Sequence, residues 1–428
     1  MLSAPTEVRA ALPRRIWIVL AAVFALGLLH FWIRTTPVRL ATTDDVAFQE
    51  IADADSSAGW STQNAISQAR FYYATPMFGY ALTRLYEIRE PWLFSLLRAG
   101  ALFFQIGLAG WLWARVVRSP AWGATLAFFI LGALQIPRTF YPILSYPIDW
   151  IGFCAGLIAL HFHQSHLDRP TFWTGVLTGV FFLLACLMHE IFVLLLPAFL
   201  LLSRVHPASG GTHRRRANLA PLVTATSYTA LYLLFSRNFP TTYDGTMFSS
   251  DLVLSSKVLV RQLIGILPGF ELVVQRLAPY ESGPFFRGGA DIARTLRDLP
   301  WPDLVLGLLE AGTLTGLLLH CARSAPSLIR WWPWALGFGV LFNLPIAFSA
   351  KHQVFILHRE FPYAYAFYAA FFLASGFLAV LVWILQQLPR RGRDPVTVAL
   401  LGLASAVLCL STLASNHQVL QVLRHKFN

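Results

Sequence analysis

Apolar residues in this chain come in long blocks separated by short polar segments. Most blocks have the length needed to cross a bilayer as a helix. The blocks predict spans at about 16–33, 92–114, 121–136, 147–163, 172–188, 190–203, 218–235, 303–321, 333–348, 363–387 and 396–414. The pattern predicts an all-α polytopic membrane protein of about eleven transmembrane helices, forming a single integral membrane domain over 1–428. Two longer polar stretches interrupt it, 34–91 and 236–302. Within 34–91, Asp44 to Ala58 has helical composition, and Phe71 to Tyr86 (FYYATPMFGYALTRLY) is aromatic and amphipathic. Both predict helices lying in the membrane interface. In 236–302, Pro268, Pro279, Pro284 and the Gly288-Gly289 pair break the chain into short pieces.

Two segments need arbitration. Phe172 to Ser203 is about 32 residues of near-continuous apolar chain. One tilted helix would put Arg169 and Arg214–Arg216 on opposite faces. The charge rule asks instead for two arms meeting near Met188-His189-Glu190, of roughly 26 Å and 20 Å at 1.5 Å per residue. A turn between such short arms sits below the surface, where non-helical backbone survives only if buried in protein or facing a wet cavity. Leu252 to Val274 is apolar but carries Lys257, Arg261 and Glu271, so it is expected to lie along or dip into the interface within the outer loop.

Composition agrees with the pattern. The chain is 56% hydrophobic and 13% charged, with a mean hydropathy of +0.57, too apolar for a soluble domain of this size. Aromatic clusters such as Trp331, Trp332 and Trp334 mark block ends, as interfacial anchors do. The first block is longer than a usual signal-peptide core and no Ala-x-Ala site follows it. Cys154, Cys186, Cys321 and Cys409 fall inside apolar blocks and act as small apolar residues.

Charge supplies an orientation. With the N-terminus inside, the inner loops collect Arg9, Arg14, Arg15, Arg115, Arg118, Arg169, Arg204, Arg214–Arg216, Arg323, Arg330, Arg390, Arg391 and Arg393 against only Glu7, Asp168 and Asp394. That excess equals the whole net charge of +12. The basic balance is thus accounted for by orientation, with membrane lipid as partner and no reason to invoke nucleic acid. Only three of the thirty-three basic residues are lysine, which points to a GC-rich bacterial genome and so to a bacterial inner membrane.

Candidate chemistry gathers on the outer side. Asp44 and Asp45, in ATTDDVAFQE, follow the first span by about ten residues. Paired carboxylates there can take a proton from a hydroxyl, hold a sugar or bind a hard cation, with Glu50, Asp53 and Asp55 close in sequence; they can equally cap a helix. His189 and Glu190 interrupt an apolar block, and an ionisable group there is functional by default. The competing expectation is that His189 bonds a carbonyl while Glu190 pairs with an arginine to hold helices together. Lys351, His352, His358, Arg359 and Glu360, in AKHQVFILHREFPY, form a basic cluster on the outer side, against the orientation trend. Arginine and lysine there can hold a phosphate, or simply reach lipid headgroups. Arg138 with Tyr141, and Asp149, are weaker candidates of the same kind. Arg98 and Glu310 lie within spans and are expected to be structural, pairing with each other. His161, His163 and His166 lie on the inner side and are expected to be interface residues. There is no P-loop and no HExxH motif.

An acidic pair in the first outer loop, followed by interfacial helices and many spans, resembles the GT-C superfamily of membrane glycosyltransferases. That group includes protein O-mannosyltransferases and lipid A aminoarabinose transferases. MHEIF at the outer end of a middle span also recurs in GT-C-like bacterial proteins. The resemblance covers roughly the first 200 residues; the large C-terminal soluble domain of oligosaccharyltransferases has no counterpart. It implies an enzyme that moves a sugar from a polyprenyl-phosphate carrier to a glycan, lipid or protein acceptor at the outer, periplasmic face. Asp44, Asp45, Glu190 and His189 would be the catalytic groups. Lys351, His358, Arg359, Arg138 and Tyr141 would bind substrate. Many proteins of this plan need no metal, so no cofactor is expected, although a divalent metal at Asp44 and Asp45 stays open. The alternatives are a polysaccharide polymerase or ligase of the cell envelope, and a lipid-linked sugar transporter or flippase.

Overall fold

A computed structural model describes residues 12–36, 66, 69–71, 74–75, 77–78, 81, 91–133, 151–206, 211–241, 247–265, 267–269, 297–321, 331–357, 366–387 and 394–427. These are 89% helical with no β-strand. The chain is therefore an all-α membrane protein. Six described helices are each long and apolar enough to cross a bilayer: Arg14–Thr35, Trp92–Val117, Thr212–Asn238, Trp301–Cys321, Tyr368–Gln387 and Pro395–His417. Shorter apolar helices span Pro120–Ala133, Phe172–Met188 and Trp332–Ala347.

The described helices, in order, are α1 (Arg14–Thr35), α2 (Pro91–Val117), α3 (Pro120–Ala133), α4 (Phe153–Asp168), α5 (Phe172–Met188), a 3-10 turn (Glu190–Leu195), α6 (Leu196–Val205), α7 (Gly211–Asn238), α8 (Leu252–Ile264), α9 (Trp301–Cys321), α10 (Trp332–Ala347), α11 (Ala350–Leu357), α12 (Ala366–Gln387) and α13 (Pro395–Phe427). They fall into two units. One comprises 1–4, 39–108 and 139–248, the other 5–38, 109–138 and 249–428.

In the first unit the apolar stretch 172–203 folds back on itself. Thr171 opens α5 with a capping box shared with Thr174. The helix ends at His189, whose backbone is extended (φ −164°, ψ 135°). The 3-10 turn and α6 then run back along α4. Phe153 stacks on Phe192 near one end, while His163 Nε2 meets Ser203 Oγ at 2.9 Å and His206 Nε2 meets Asp168 Oδ1 at 2.9 Å near the other. Arg169 and Arg204 therefore share one end of the unit, as the charge pattern required. Gly152, just before α4, sits against the bend: an added Cβ would come within 2.8 Å of the Phe192 ring and 2.9 Å of Met188 Cβ. α7 starts at the arginine-rich end, where His213 Nε2 meets the Leu167 carbonyl at 3.1 Å. It finishes at the bend end, where Ser236 Oγ donates to the Ala69 carbonyl at 3.0 Å.

In the second unit α9 packs on α13, α3 and α1, and α10 packs on α12 and α8. α8 has 13 residues, about 20 Å of rise. Asp251 caps it, accepting from Leu254 N at 2.9 Å, and Val258 packs against Ile346 and Ala347. The last helix differs from expectation. The pattern ends it at 414, before Ser415, Asn416 and His417, but α13 continues through all three to Phe427. Helical backbone satisfies its own hydrogen bonds, so polar side chains at a membrane edge need not end it.

Candidate functional site

The bend between α5 and the 3-10 turn carries a three-residue polar cluster. His189 closes α5 and opens the turn: its N–H reaches the Ala185 carbonyl at 3.0 Å, and its Nδ1 accepts from Ile191 N at 3.1 Å. Glu190 is the next residue. The third member is Arg70, 120 positions earlier in sequence, which donates from Nε to Glu190 Oε1 at 2.8 Å. Arg70 Nη2 also lies 2.5 Å from His189 Nε2. Both ring nitrogens thus face donors, and a neutral imidazole accepts at only one of them at a time. Glu190 Oε2 is buried without a hydrogen-bond partner among the described residues; it sits 3.4 Å from His189 Nδ1.

Exposure is graded across the cluster. The His189 side chain is 5% exposed, Arg70 13% and Glu190 26%. Glu190 is the most exposed side chain of the three, but its Oε2 is buried, as is the imidazole beside it. Arg70 is fixed from both sides. Before it, Ala69 has φ 49°, a left-handed conformation costly for a residue with a Cβ, and its carbonyl is held by Ser236. After it, the Phe71 carbonyl accepts from Tyr228 Oη at 2.7 Å, and Thr75 Oγ1 donates to the Met188 carbonyl. The Phe71 ring contacts Tyr228 and Phe235. Residues 69–71 and 75 are thereby seated on the bend and on α7.

This arrangement answers the two expectations for His189 and Glu190. Glu190 does pair with an arginine, as the helix-holding alternative required. His189 caps a turn by accepting a backbone N–H instead of donating to a carbonyl. Glu190 thus serves as an anchor for the Arg70 guanidinium. Arg70 was not singled out from sequence. It lies in the 34–91 stretch, and only the fold brings it to Glu190.

A second cluster, in the second unit, was also not singled out. Asp303, at the start of α9, has a side chain only 3% exposed. His30 Nε2 of α1 lies 2.7 Å from its Oδ1. Arg34 Nη2 of α1 and His417 Nδ1 of α13 each lie 3.5 Å from Oδ2, and Arg34 and His417 touch each other. One carboxylate thus ties the C-terminal end of α1 and the start of α9 to the body of α13. The arginine among the ligating atoms makes it a poor cation site.

Of the other expected residues, Asp44, Asp45, Arg138, Tyr141, His358 and Arg359 lie outside the described residues, as do Asp149 and Glu360. Lys351 is half-buried near the start of α11, and belongs to the second unit, whereas His189 and Glu190 belong to the first. Beside it His352 Nδ1 meets Ser349 Oγ at 3.2 Å, and Gln353 Nε2 donates to Ser255 Oγ at 2.9 Å, tying α11 to α8. Arg98 is fully buried in the first unit, with Nη2 3.5 Å from Ser95 Oγ. Glu310 is buried in the second. The three histidines near 163 have separate partners: His161 meets Ser165, His163 meets Ser203 and the Phe199 carbonyl, and His166 meets Thr171 and Thr174.

Comparison of the chain with protein-family models, with curated proteins and with solved structures returns no match.

Proposed function

We propose that this chain is a membrane glycosyltransferase of GT-C plan, with about eleven spans and an inside N-terminus. It moves a sugar from a polyprenyl-phosphate carrier to a glycan, lipid or protein acceptor at the outer face of a bacterial inner membrane. The observation that carries the proposal is the Arg70–Glu190–His189 cluster, set at a break in a membrane hairpin at the end opposite Arg169 and Arg204. Under the charge rule that end faces outward. Non-helical backbone with ionisable side chains at this depth calls for a cavity-facing role.

The geometry supports a division of labour. Departure of the sugar leaves negative charge on the carrier phosphate, and a fixed cation stabilises it without reorganising at the moment of reaction. Arg70 has the planar guanidinium suited to phosphate. Glu190 and His189 act on it as positioning residues. The base for the acceptor falls to Asp44 of the acidic pair, with Asp45 in support and Lys351, Arg359, His358, Arg138 and Tyr141 assigned to substrate.

The test is binding of a polyprenyl phosphate to the purified protein, followed by native mass spectrometry. Wild type should retain it at micromolar lipid. Arg70→Gln should lower retention by about ten-fold, the loss expected from one charge-assisted contact. Equal retention by wild type and Arg70→Gln would remove Arg70 from the donor site.

A further inference from the structure

The arginine-rich end of the first unit holds a cavity of about 600 Å³ between the start of α5 and the first turns of α7. Its mouth is polar, with His166, His213 and Arg216. The rest of its lining is mostly apolar, including Gly175, Val176 and Gly179 of α5 and Ala220 and Val223 of α7. A Cβ at Gly175 would meet the His166 ring at 3.5 Å and one at Gly179 would meet Thr224 Oγ1 at 3.3 Å, so the two glycines let these side chains come close to α5 beside the groove. The groove continues onto surface that would face lipid, since Phe172 is 76% exposed, Leu219 62% and Val223 53%.

Charge at this end is one-sided. Arg169, Arg204, Arg214, Arg215 and Arg216 stand here, and the nearby acid, Asp168, already pairs with His206. Arg215 and Arg216 are exposed. A cationic mouth over an apolar groove between two membrane helices has the complementarity of one molecule, an anionic phospholipid. Its phosphate would meet the mouth and one acyl chain would lie along the glycine-lined wall.

We propose that this cavity is a binding site for an anionic phospholipid of the surrounding leaflet, with Arg216 and His213 at the phosphate and the Gly175–Gly179 face of α5 against an acyl chain. The site lies at the end of the hairpin opposite Arg70 and is independent of the sugar-transfer proposal. It would anchor the α5–α6 hairpin to the membrane and fix the depth of its bend.

The experiment is native mass spectrometry of the full chain released from nanodiscs of phosphatidylglycerol and phosphatidylcholine, with inorganic phosphate as a soluble competitor. Wild type should retain phosphatidylglycerol preferentially. Arg216→Gln should lower that retention about five-fold, the usual worth of one basic residue near an anionic headgroup. Val223→Trp, on the exposed wall, should lower it by filling the groove while leaving the arginines in place. Arg204→Gln, at the same end but outside the cavity, should leave retention unchanged. Equal retention of the two lipids, an Arg204→Gln loss as large as that of Arg216→Gln, or displacement of the lipid by millimolar inorganic phosphate would each overturn the proposal. Circular dichroism of every variant separates loss of the site from loss of the fold.

Discussion

Replacing Arg70 by methionine removes the guanidinium and keeps most of the stem. Glu190 Oε1 then loses its 2.8 Å bond, and Oε2 already has no hydrogen-bond partner among the described residues. A carboxylate left unpaired in a fully buried pair costs about 3–5 kcal/mol. The Glu190 side chain is 26% exposed, so water recovers part of this, and about 2–3 kcal/mol is the expected loss. The second change, Glu190→Gln, removes the stranded charge, so the double variant should be more stable than Arg70→Met alone. A double-mutant cycle measured by reversible denaturant unfolding in detergent should therefore give a coupling of about 2 kcal/mol. Additivity within about 0.5 kcal/mol would refute the pairing. Arg70→Lys divides the two roles: a lysine charge should restore much of the stability, yet a point charge cannot reproduce the planar fork at a phosphate. Donor use should then stay low while stability recovers. Recovery of both would make Arg70 a helix clamp and nothing more.

Asp44→Asn should lower turnover by about 100-fold or more, the range for losing a positioned proton acceptor, and Asp45→Asn should cost less; near-normal transfer by folded Asp44→Asn would remove Asp44 from the mechanism. Arg359→Ala should weaken donor use strongly and Arg359→Lys should rescue it only partly; an interfacial anchor would instead show lysine as good as arginine, with alanine nearly harmless. Asp303→Ala should lower thermal stability by about 3 kcal/mol, because it leaves Arg34 beside two histidines where α1, α9 and α13 meet; an unchanged melting temperature would show that the cluster carries no net stability. A cysteine at Gly211 should be shielded from an impermeant external label and one at Gly288 should react, with Cys186, Cys321 and Cys409 silent because they are buried; labelling of Gly211 in intact cells would overturn the orientation.

The hairpin at 172–205 was legible in the sequence because two independent signals coincide there. The arginines at 169, 204 and 214–216 demand an even number of crossings, and the polar pair His189-Glu190 falls at the only interruption between them. The partners were not legible. Arg70 reaches Glu190 across 120 positions and Arg34 reaches His417 across 383, and no local pattern encodes such pairings. Position within a helix also hid the second cluster. His30 and Arg34 stand one turn apart near the end of α1, where they pass for interfacial anchors, and Asp303 passes for a first-turn acid complementing the dipole of α9. His417 was hidden because apolar content, and not helical backbone, decided where the last span ended.

Release of polyprenyl phosphate tests the central claim most directly, because it needs no knowledge of the sugar. The purified chain in liposomes would be given polyprenyl-linked sugar donors extracted from the source membrane, and polyprenyl phosphate would be followed by mass spectrometry. The account predicts time-dependent release by wild type, and release lowered about 100-fold or more in Asp44→Asn and markedly in Arg70→Gln. No release by folded wild type, or equal release by all three proteins, would contradict it.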